Sequence, residues 1–354
     1  MKNVIVSFCF LFLAISWSFA QNENKTTSKF DFIPGEKVVF YDDFTNDNIG
    51  DFPANWNTNG SGEIVTSEKL EGRWLKITKQ GYLIPEVKDN FTENYTVEFD
   101  IFSLEPFQGQ LFATTIYLLS ADLLNPQGGA QPGKAGLRIR LENERIGWNN
   151  WSEAREWGGD EGVAAYNFDA EQKFHFAFWF QKQRVRLYIN NSKVLDLPRG
   201  LNSGYTYNIF RIDSDSEEII PMIANYRMAV GLPDMRNKLL TEGKLISYGI
   251  LFDVNSDKLR PESQPVIKEI GTVLKDNPTV KIKIIGHTDA DGVDAANLDL
   301  SKRRSLSVKN ELVDTYKIEA ARIETDGKGE SQPLAPNDSA INKAKNRRVE
   351  FVKL

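Results

Sequence analysis

Residues 286–304 read GHTDADGVDAANLDLSKRR and connect an alternating apolar segment to an amphipathic one. Asp289 follows the predicted strand 280–284, in which apolar residues alternate with lysines. Arg304 lies 15 residues beyond Asp289, within the next predicted helix. A carboxylate at a strand end and a guanidinium on the following helix can face one cleft. Such a pair complements a zwitterion, because the carboxylate accepts from an ammonium and the guanidinium donates two parallel hydrogen bonds to a carboxylate.

The segments around this stretch predict a small α/β unit. An apolar stripe of Ile267, Ile270, Val273 and Leu274 indicates a helix, which Pro261 can begin. The predicted strands are 245–252, 280–284 and 348–352, and the predicted helices are 261–275 and 294–317. Their order, β-α-β-α-β over residues 244–354, predicts an α/β sandwich of about 110 residues.

These motifs together resemble the OmpA-like peptidoglycan-binding domain, whose signature is G-H-T-D, a glycine-containing loop and N-x-x-L-S-x-x-R. The similarity extends over residues 245–354, through FDVNSDKL at 252–259, GKGESQP at 327–333 and NRRVE at 346–350. Several spaced motifs in the right order are more specific than one short pattern. Lys328 stands where the family more often has an aromatic residue, and Ser305 stands where alanine is usual. Both departures concern local packing more than binding.

The resemblance implies noncovalent binding of peptidoglycan through the diaminopimelate of its stem peptide, without catalysis, cofactor or metal. On this resemblance Asp289 and Arg304 clasp the amino-acid head of the ligand. Four further positions correspond to family positions that line the same pocket: Asn255, Thr288, Asn297 and Arg347. Without the neighbouring motifs, Asp289 and Arg304 could instead form an internal salt bridge. His287 has only His175 as a second histidine, which is no ligand set for a metal, so we interpret it as a structural residue.

Residues 30–232 show short alternating or aromatic-rich runs, separated by clusters of Gly, Pro, Asn and Asp. The runs that predict strands are 95–102, 110–119, 134–141, 174–180, 184–190, 194–197 and 221–230. The meander at 174–197 resembles concanavalin-like and laminin G jelly rolls. The chain is therefore predicted to have two domains, an all-β jelly-roll sandwich followed by the OmpA-like α/β sandwich. The sandwich fold alone does not identify a function.

Three features leave the role of the predicted sandwich open. Glu98 and Asp100 share a strand face, as in a jelly-roll glycoside hydrolase, but Ser103 stands where such an enzyme has a further glutamate. One loop region suggests sugar binding through three tryptophans, Trp148, Trp151 and Trp157. Packing in the core or at its rim is the simpler interpretation, and the acidic run 213–218 is interpreted as a solvated loop rather than a calcium site. The alternative function is a glycan-binding or glycan-cleaving envelope protein in which the OmpA-like domain is only the anchor.

The first twenty residues predict export. Lys2, the apolar run 4–15 and the small residues Ser18 and Ala20 are typical of a secretory signal peptide. The single cysteine, Cys9, lies in this segment, which excludes a disulfide framework in the remainder. We therefore expect an exported protein of a Gram-negative envelope, at the periplasmic face of the outer membrane or in the periplasm.

The net charge of −6 argues against a nucleic-acid binder. It averages two unlike parts, because residues 21–243 carry −9 and residues 244–354 carry +2. The predicted organisation is a signal peptide at 1–20, a flexible tail at 21–29, the sandwich at 30–232, a linker at 233–243 and the OmpA-like domain at 244–354. Peptidoglycan is the expected partner, and the sandwich is a candidate contact for outer-membrane proteins or glycans.

Overall fold

The computed structural model describes residues 30–88, 91–103, 112–123, 131–169, 171–232 and 234–354. The predicted signal peptide at 1–20 and the predicted tail at 21–29 lie outside the described residues. Within the described ranges, no helix has the length and apolar character needed to cross a membrane.

The N-terminal part is an antiparallel β-sandwich, which confirms the predicted all-β class. Its strands are β1 Lys37–Asp42, β2 Trp56–Thr58, β3 Ser61–Ser67, β4 Leu70–Lys79, β5 Gly81–Pro85, β6 Asn94–Ser103, β7 Thr114–Ser120, β8 Ala135–Glu142, β9 Arg145–Ser152, β10 Glu161–Ala165, β11 Lys173–Gln181, β12 Arg184–Ile189, β13 Ser192–Leu197, β14 Ile209–Ser214 and β15 Pro221–Val230. One sheet has the order β13-β12-β11-β6-β15-β4-β3, with β1 also paired to β15. The other sheet has the order β10-β9-β8-β7-β14-β5-β2.

The core between the two sheets follows from the alternation of side chains along each strand. Phe99 of β6 is fully buried, and its ring centroid lies 5.4 Å from that of Phe176 in β11. The same ring contacts Phe210 of β14 in the opposite sheet, at 6.1 Å. Because neighbours along a strand point to opposite faces, Glu98 and Asp100 lie on the outer face of the first sheet.

The C-terminal part has a four-stranded sheet with three main helices, which confirms the predicted α/β class. Its elements are β16 Lys244–Ser247, α1 Gln264–Asp276, β17 Ile282–His287, α2 Asp294–Asp314, β18 Ile323–Gly329, α3 Ala340–Asn346 and β19 Arg348–Lys353. The strand order is β16-β19-β17-β18, and β17 pairs in parallel with β18. The prediction lacked β18 and α3, and it made the first strand too long.

The segment predicted as a linker is largely helical in the structure. It contains the turn Met235–Asn237 and the wider turn Lys238–Glu242, whose Met235 and Leu239 are buried in the C-terminal core. Ile33, which precedes the sandwich, packs against the same core. Chain from both ends of the sandwich therefore contributes to the C-terminal unit, and the two units pack directly against each other.

Candidate functional site

A pocket of about 190 Å³ lies where the two units meet. The C-terminal unit contributes Phe252, Arg304 and Arg347 to its lining, and the sandwich contributes Tyr41 and Arg227. Pockets that enclose drug-sized ligands measure roughly 300 to 1,000 Å³, so this one suits the end of a single small residue. Of the predicted site residues, Arg304 and Arg347 line it directly.

Arg304 is held in place by backbone groups rather than by a carboxylate. Its Nε donates to the carbonyl of Ser256 at 2.9 Å, and its guanidinium stacks on the ring of Phe252 at 4.9 Å. Burial lowers the pKa of Arg304, and the nearby Asp289 partly offsets this effect. In the part of the chain that the structure describes, no acidic side chain forms an ion pair with Arg304. The guanidinium can therefore bind a carboxylate from a ligand.

Asp289 pairs with Arg347 rather than Arg304, so the alternative of an internal salt bridge between Asp289 and Arg304 is not observed. Its Oδ2 accepts from Arg347 Nη1 at 2.6 Å, and the side chain is 13% exposed. Its Oδ1 accepts from the backbone N–H of Asp291 at 3.2 Å. Arg347 also lies 3.8 Å from Asp43 of the sandwich. Asp289 is thus linked to the pocket through Arg347 and keeps lone pairs for a ligand ammonium.

The other three predicted residues have different surroundings. Asn297 is buried, and its amide donates to the carbonyl of Asp291 at 3.0 Å and to Glu330 Oε2 at 2.6 Å. It therefore holds the loop after β17. Thr288 is buried beside this loop, and its hydroxyl has no hydrogen-bond partner among the described residues. Asn255 is exposed in the turn before Ser256, with φ of 52°.

His287 ends β17 and lines the pocket, while only 4% of its surface is exposed. Its Nε2 lies 3.6 Å from Glu350 Oε1, and neither ring nitrogen has a hydrogen-bond partner within the described ranges. Among the residues that the structure describes, no group of three or more His, Cys, Asp or Glu side chains could hold a metal ion.

Tyr41 and Arg227 were not predicted as site residues. The two residues are opposite each other in the β1–β15 pairing, so both side chains lie on the outer face of the sheet that meets the C-terminal unit. Burial raises the pKa of Tyr41 to about 12, and its ring lies 5.2 Å from the guanidinium of Arg347. A pairing between the first and last strands of the sandwich has no local signature in the sequence.

Glu98 and Asp100 belong to a buried ion-pair cluster on that same face. Asp100 Oδ1 lies 2.8 Å from His175 Nδ1, and Glu98 Oε1 accepts from Arg227 Nη1 at 3.0 Å. Burial acts to raise the pKa of each carboxyl, but Arg227 and His175 outweigh it and lower the pKa of Glu98, while His175 and Lys173 do the same for Asp100. Glycoside hydrolysis needs one carboxyl that can act as an acid. The pair that suggested a glycanase is therefore buried and its ion pairs favour the ionised form of both carboxyls, which disfavours the acid role.

This cluster predicts how sandwich stability depends on pH. Burial lowers the pKa of His175, but Asp100 and Glu98 raise it to about 9, against about 6.5 in the unfolded chain. Below pH 6.5 the folded and unfolded chains both bind the proton on His175, so the stabilisation by its ion pairs is fully present. Between pH 6.5 and about 9 only the folded protein binds this proton. We therefore expect the free energy of unfolding to fall with rising pH, by about 3 kcal/mol in total once pH exceeds 9.

Urea unfolding of the wild type and of His175→Gln across this pH range measures the effect. His175→Gln has no titratable side chain at position 175, so its free energy of unfolding should fall less between pH 6.5 and 9. An equal fall in both proteins would show that His175 is not the source.

The remaining candidates in the sandwich have separate surroundings. Trp151 is fully buried, Trp148 packs against the core, and Trp157 is 48% exposed. They therefore do not form one aromatic platform. In the acidic run, Asp213 pairs with Arg211 at 2.8 Å, while Asp215 accepts from Thr115.

Comparison with known proteins places the similarity in the C-terminal part. Residues 251–347 match the OmpA family. "Outer membrane porin F" of Pseudomonas aeruginosa is 38% identical over 105 residues, which are 30% of this chain and 30% of that protein. "Probable lipoprotein YiaD" of Escherichia coli K12 is 39% identical over 102 residues, which are 29% of this chain and 46% of that protein. The chain thus spans less than half of each of these relatives.

Among solved structures, the peptidoglycan-associated lipoprotein from Burkholderia pseudomallei is 28% identical. The similarity covers 30% of this chain and 88% of that one, with a TM-score of 0.28.

Proposed function

We propose that this chain, whose residues 251–347 form an OmpA family domain, is a non-catalytic envelope protein that binds peptidoglycan through the diaminopimelate of the stem peptide. The observation that carries the proposal is Arg304, a guanidinium at the pocket that is fixed by carbonyl groups and has no carboxylate partner among the described residues. Asp289 is ion-paired with Arg347, which lines the same pocket, and supplies the negative charge of the clasp.

The chemistry of the two groups matches the free end of diaminopimelate, which carries an ammonium and a carboxylate on one carbon. The ligand carboxylate takes the free N–H groups of Arg304, and the ammonium donates to Asp289. Arg347 holds Asp289 in place, Asn297 holds the loop, and Thr288 offers an unpaired hydroxyl beside it. Asn255 contributes through the turn that presents the Ser256 carbonyl to Arg304.

A pocket of this size gives modest affinity for one stem peptide. Hydrogen bonds to charged groups contribute roughly 1.5 to 3 kcal/mol each, and a few of them must offset the cost of association. Dissociation constants between micromolar and millimolar follow. A polymer with many stem peptides raises the effective concentration near each bound molecule, which sustains reversible attachment.

Cosedimentation of the full chain with isolated sacculi tests the proposal. Sacculi with diaminopimelate should retain the protein, because their side chain ends in both charged groups. Sacculi with lysine at the same position are the matched control, because lysine has the ammonium but not the carboxylate. We expect at least about tenfold less binding to them, which corresponds to one lost charged interaction. Equal retention by both would overturn the proposed ligand.

The site also suggests how the chain is organised in the cell. We propose that residues 244–354 attach to the wall, while the acidic sandwich at 30–232 contacts outer-membrane proteins or glycans. An exported protein with these two parts would lie in the periplasm or at the inner side of the outer membrane. Fractionation that recovers the protein with the cytoplasm would contradict this location.

A further inference from the structure

We infer that the sandwich forms a second wall of the peptidoglycan pocket, and that Arg227 binds a second carboxylate of the stem peptide there. This inference rests on the proposed function, because it assigns a further contact to the same ligand. It makes the sandwich a determinant of ligand specificity.

The position of Arg227 follows from strand register. Arg227 of β15 is opposite Tyr41 of β1 on one side and opposite Glu98 of β6 on the other. The three residues therefore form a row across three strands, on the face turned away from the sandwich core. Tyr41 and Arg227 reach the pocket that Arg304 lines from the C-terminal unit.

The hydrogen bonds of Arg227 are incomplete. Its Nη1 donates to Glu98 Oε1 at 3.0 Å, and only 8% of its surface is exposed. Its Nη2 is buried and has no hydrogen-bond partner in the described part of the chain. An unpaired buried donor is destabilising, and a ligand oxygen that accepts from it removes this cost. His287, on the other wall, has unpaired ring nitrogens at the same pocket.

The charges at the pocket favour a ligand with more than one carboxylate. Four arginines line the pocket, Arg227, Arg304, Arg347 and Arg348, and none of the described residues that line it is acidic. Arg347 is paired with Asp289 and Asp43, Arg348 with Glu350 and Arg227 with Glu98, whereas Arg304 has no carboxylate partner among the described residues. A zwitterionic head alone is electrically neutral, whereas a head with a second carboxylate nearby carries a net negative charge, which a pocket lined by arginines favours. Stem peptides have such carboxylates on the residues next to the clasped one.

Calorimetric titration of the full chain can test this assignment with three synthetic peptides. The probes are L-alanyl-γ-D-glutamyl-meso-diaminopimelate and two of its monoamides, one at the glutamate α-carboxylate and one at the carboxylate of the diaminopimelate centre that joins the peptide. We expect one monoamide to bind about tenfold more weakly than the parent peptide, the loss of one charged contact.

Variants of Arg227 identify the group responsible. Arg227→Gln combined with Glu98→Gln removes both charges of the buried pair, so neither remains uncompensated. It should bind the parent about tenfold more weakly and no longer distinguish the sensitive monoamide. Arg227→Lys replaces the double variant if that variant does not fold. It keeps the ion pair with Glu98 but lacks the second guanidinium nitrogen, so it should show the same loss of discrimination. Arg184→Gln with Asp196→Asn is the control for removing a cross-strand pair of the same sheet; this pair is more exposed, and neither residue lines the pocket.

The outcomes separate the two proposals. If the wild type does not bind the parent peptide, the proposed function fails. If the wild type binds but neither Arg227 variant changes affinity or discrimination, the role of Arg227 is wrong and the clasp remains. Equal losses in the Arg227 variants and in the Arg184 control would also overturn the inference.

Discussion

Replacing Arg304 with alanine should weaken binding of the diaminopimelate peptide by about 30- to 150-fold. The variant loses the charged contact to the ligand carboxylate, and a net loss of roughly 2 to 3 kcal/mol for this contact corresponds to that factor. Because Arg304 is also held by the Ser256 carbonyl and the Phe252 ring, it approaches the ligand in a fixed orientation. Little side-chain entropy is then spent on binding, and truncation removes an ordered contact.

Two further variants separate the roles of charge and geometry. Arg304→Lys keeps the positive charge but cannot donate two parallel hydrogen bonds, so it should recover only part of the affinity. Arg303→Ala is the matched control on the same helix. Its guanidinium pairs with Asp257 at 3.1 Å and Asp299 at 2.8 Å, and its side chain is 44% exposed. We expect wild-type affinity from it in the same titration.

Wild-type affinity in Arg304→Ala, with its unfolding transition unchanged, would place the ligand elsewhere. Full recovery by Arg304→Lys would indicate a simple electrostatic contact rather than a clasp. Either result would contradict the geometry on which the proposed function depends.

Local patterns in the sequence predicted most of the C-terminal fold but missed β18 and α3. In β18, Thr325, Asp326 and Gly327 interrupt the apolar alternation. The strand forms because β17 provides a parallel partner and α2 packs over it, which are contacts distant in sequence. The helix α3 has only seven residues, too few to show a helical period.

The same limit applies to the site. A contiguous motif marked Asp289 and Arg304, because strand, loop and helix follow one another in the chain. The Asp289–Arg347 pair was not predicted, although both residues were, since the family positions do not say which charges meet. Tyr41 and Arg227 depend on how two separate units pack. Nothing local in the sequence encodes that arrangement.

Gly286→Ala should destabilise the C-terminal unit by about 3 kcal/mol or more and weaken ligand binding as well. A Cβ at this position would lie 2.3 Å from the carbonyl oxygen of Ser301, where α2 crosses β17. This neighbour is backbone, so the helix itself must move away from the sheet. Overpacking of this kind typically costs 1 to 3 kcal/mol, and rigid surroundings place it at the upper end.

The displacement also reaches the pocket, because Ser301 lies about one helical turn before Arg304. Gly147→Ala is the matched control: this glycine is also inside a strand, β9, but a Cβ there meets no atom within 4 Å. Urea unfolding and peptide titration of both variants measure the two effects. We expect Gly147→Ala to resemble the wild type in both. Should Gly286→Ala retain full stability and affinity, the close approach of α2 to β17 would not set the position of Arg304, and the clasp would tolerate a shifted helix.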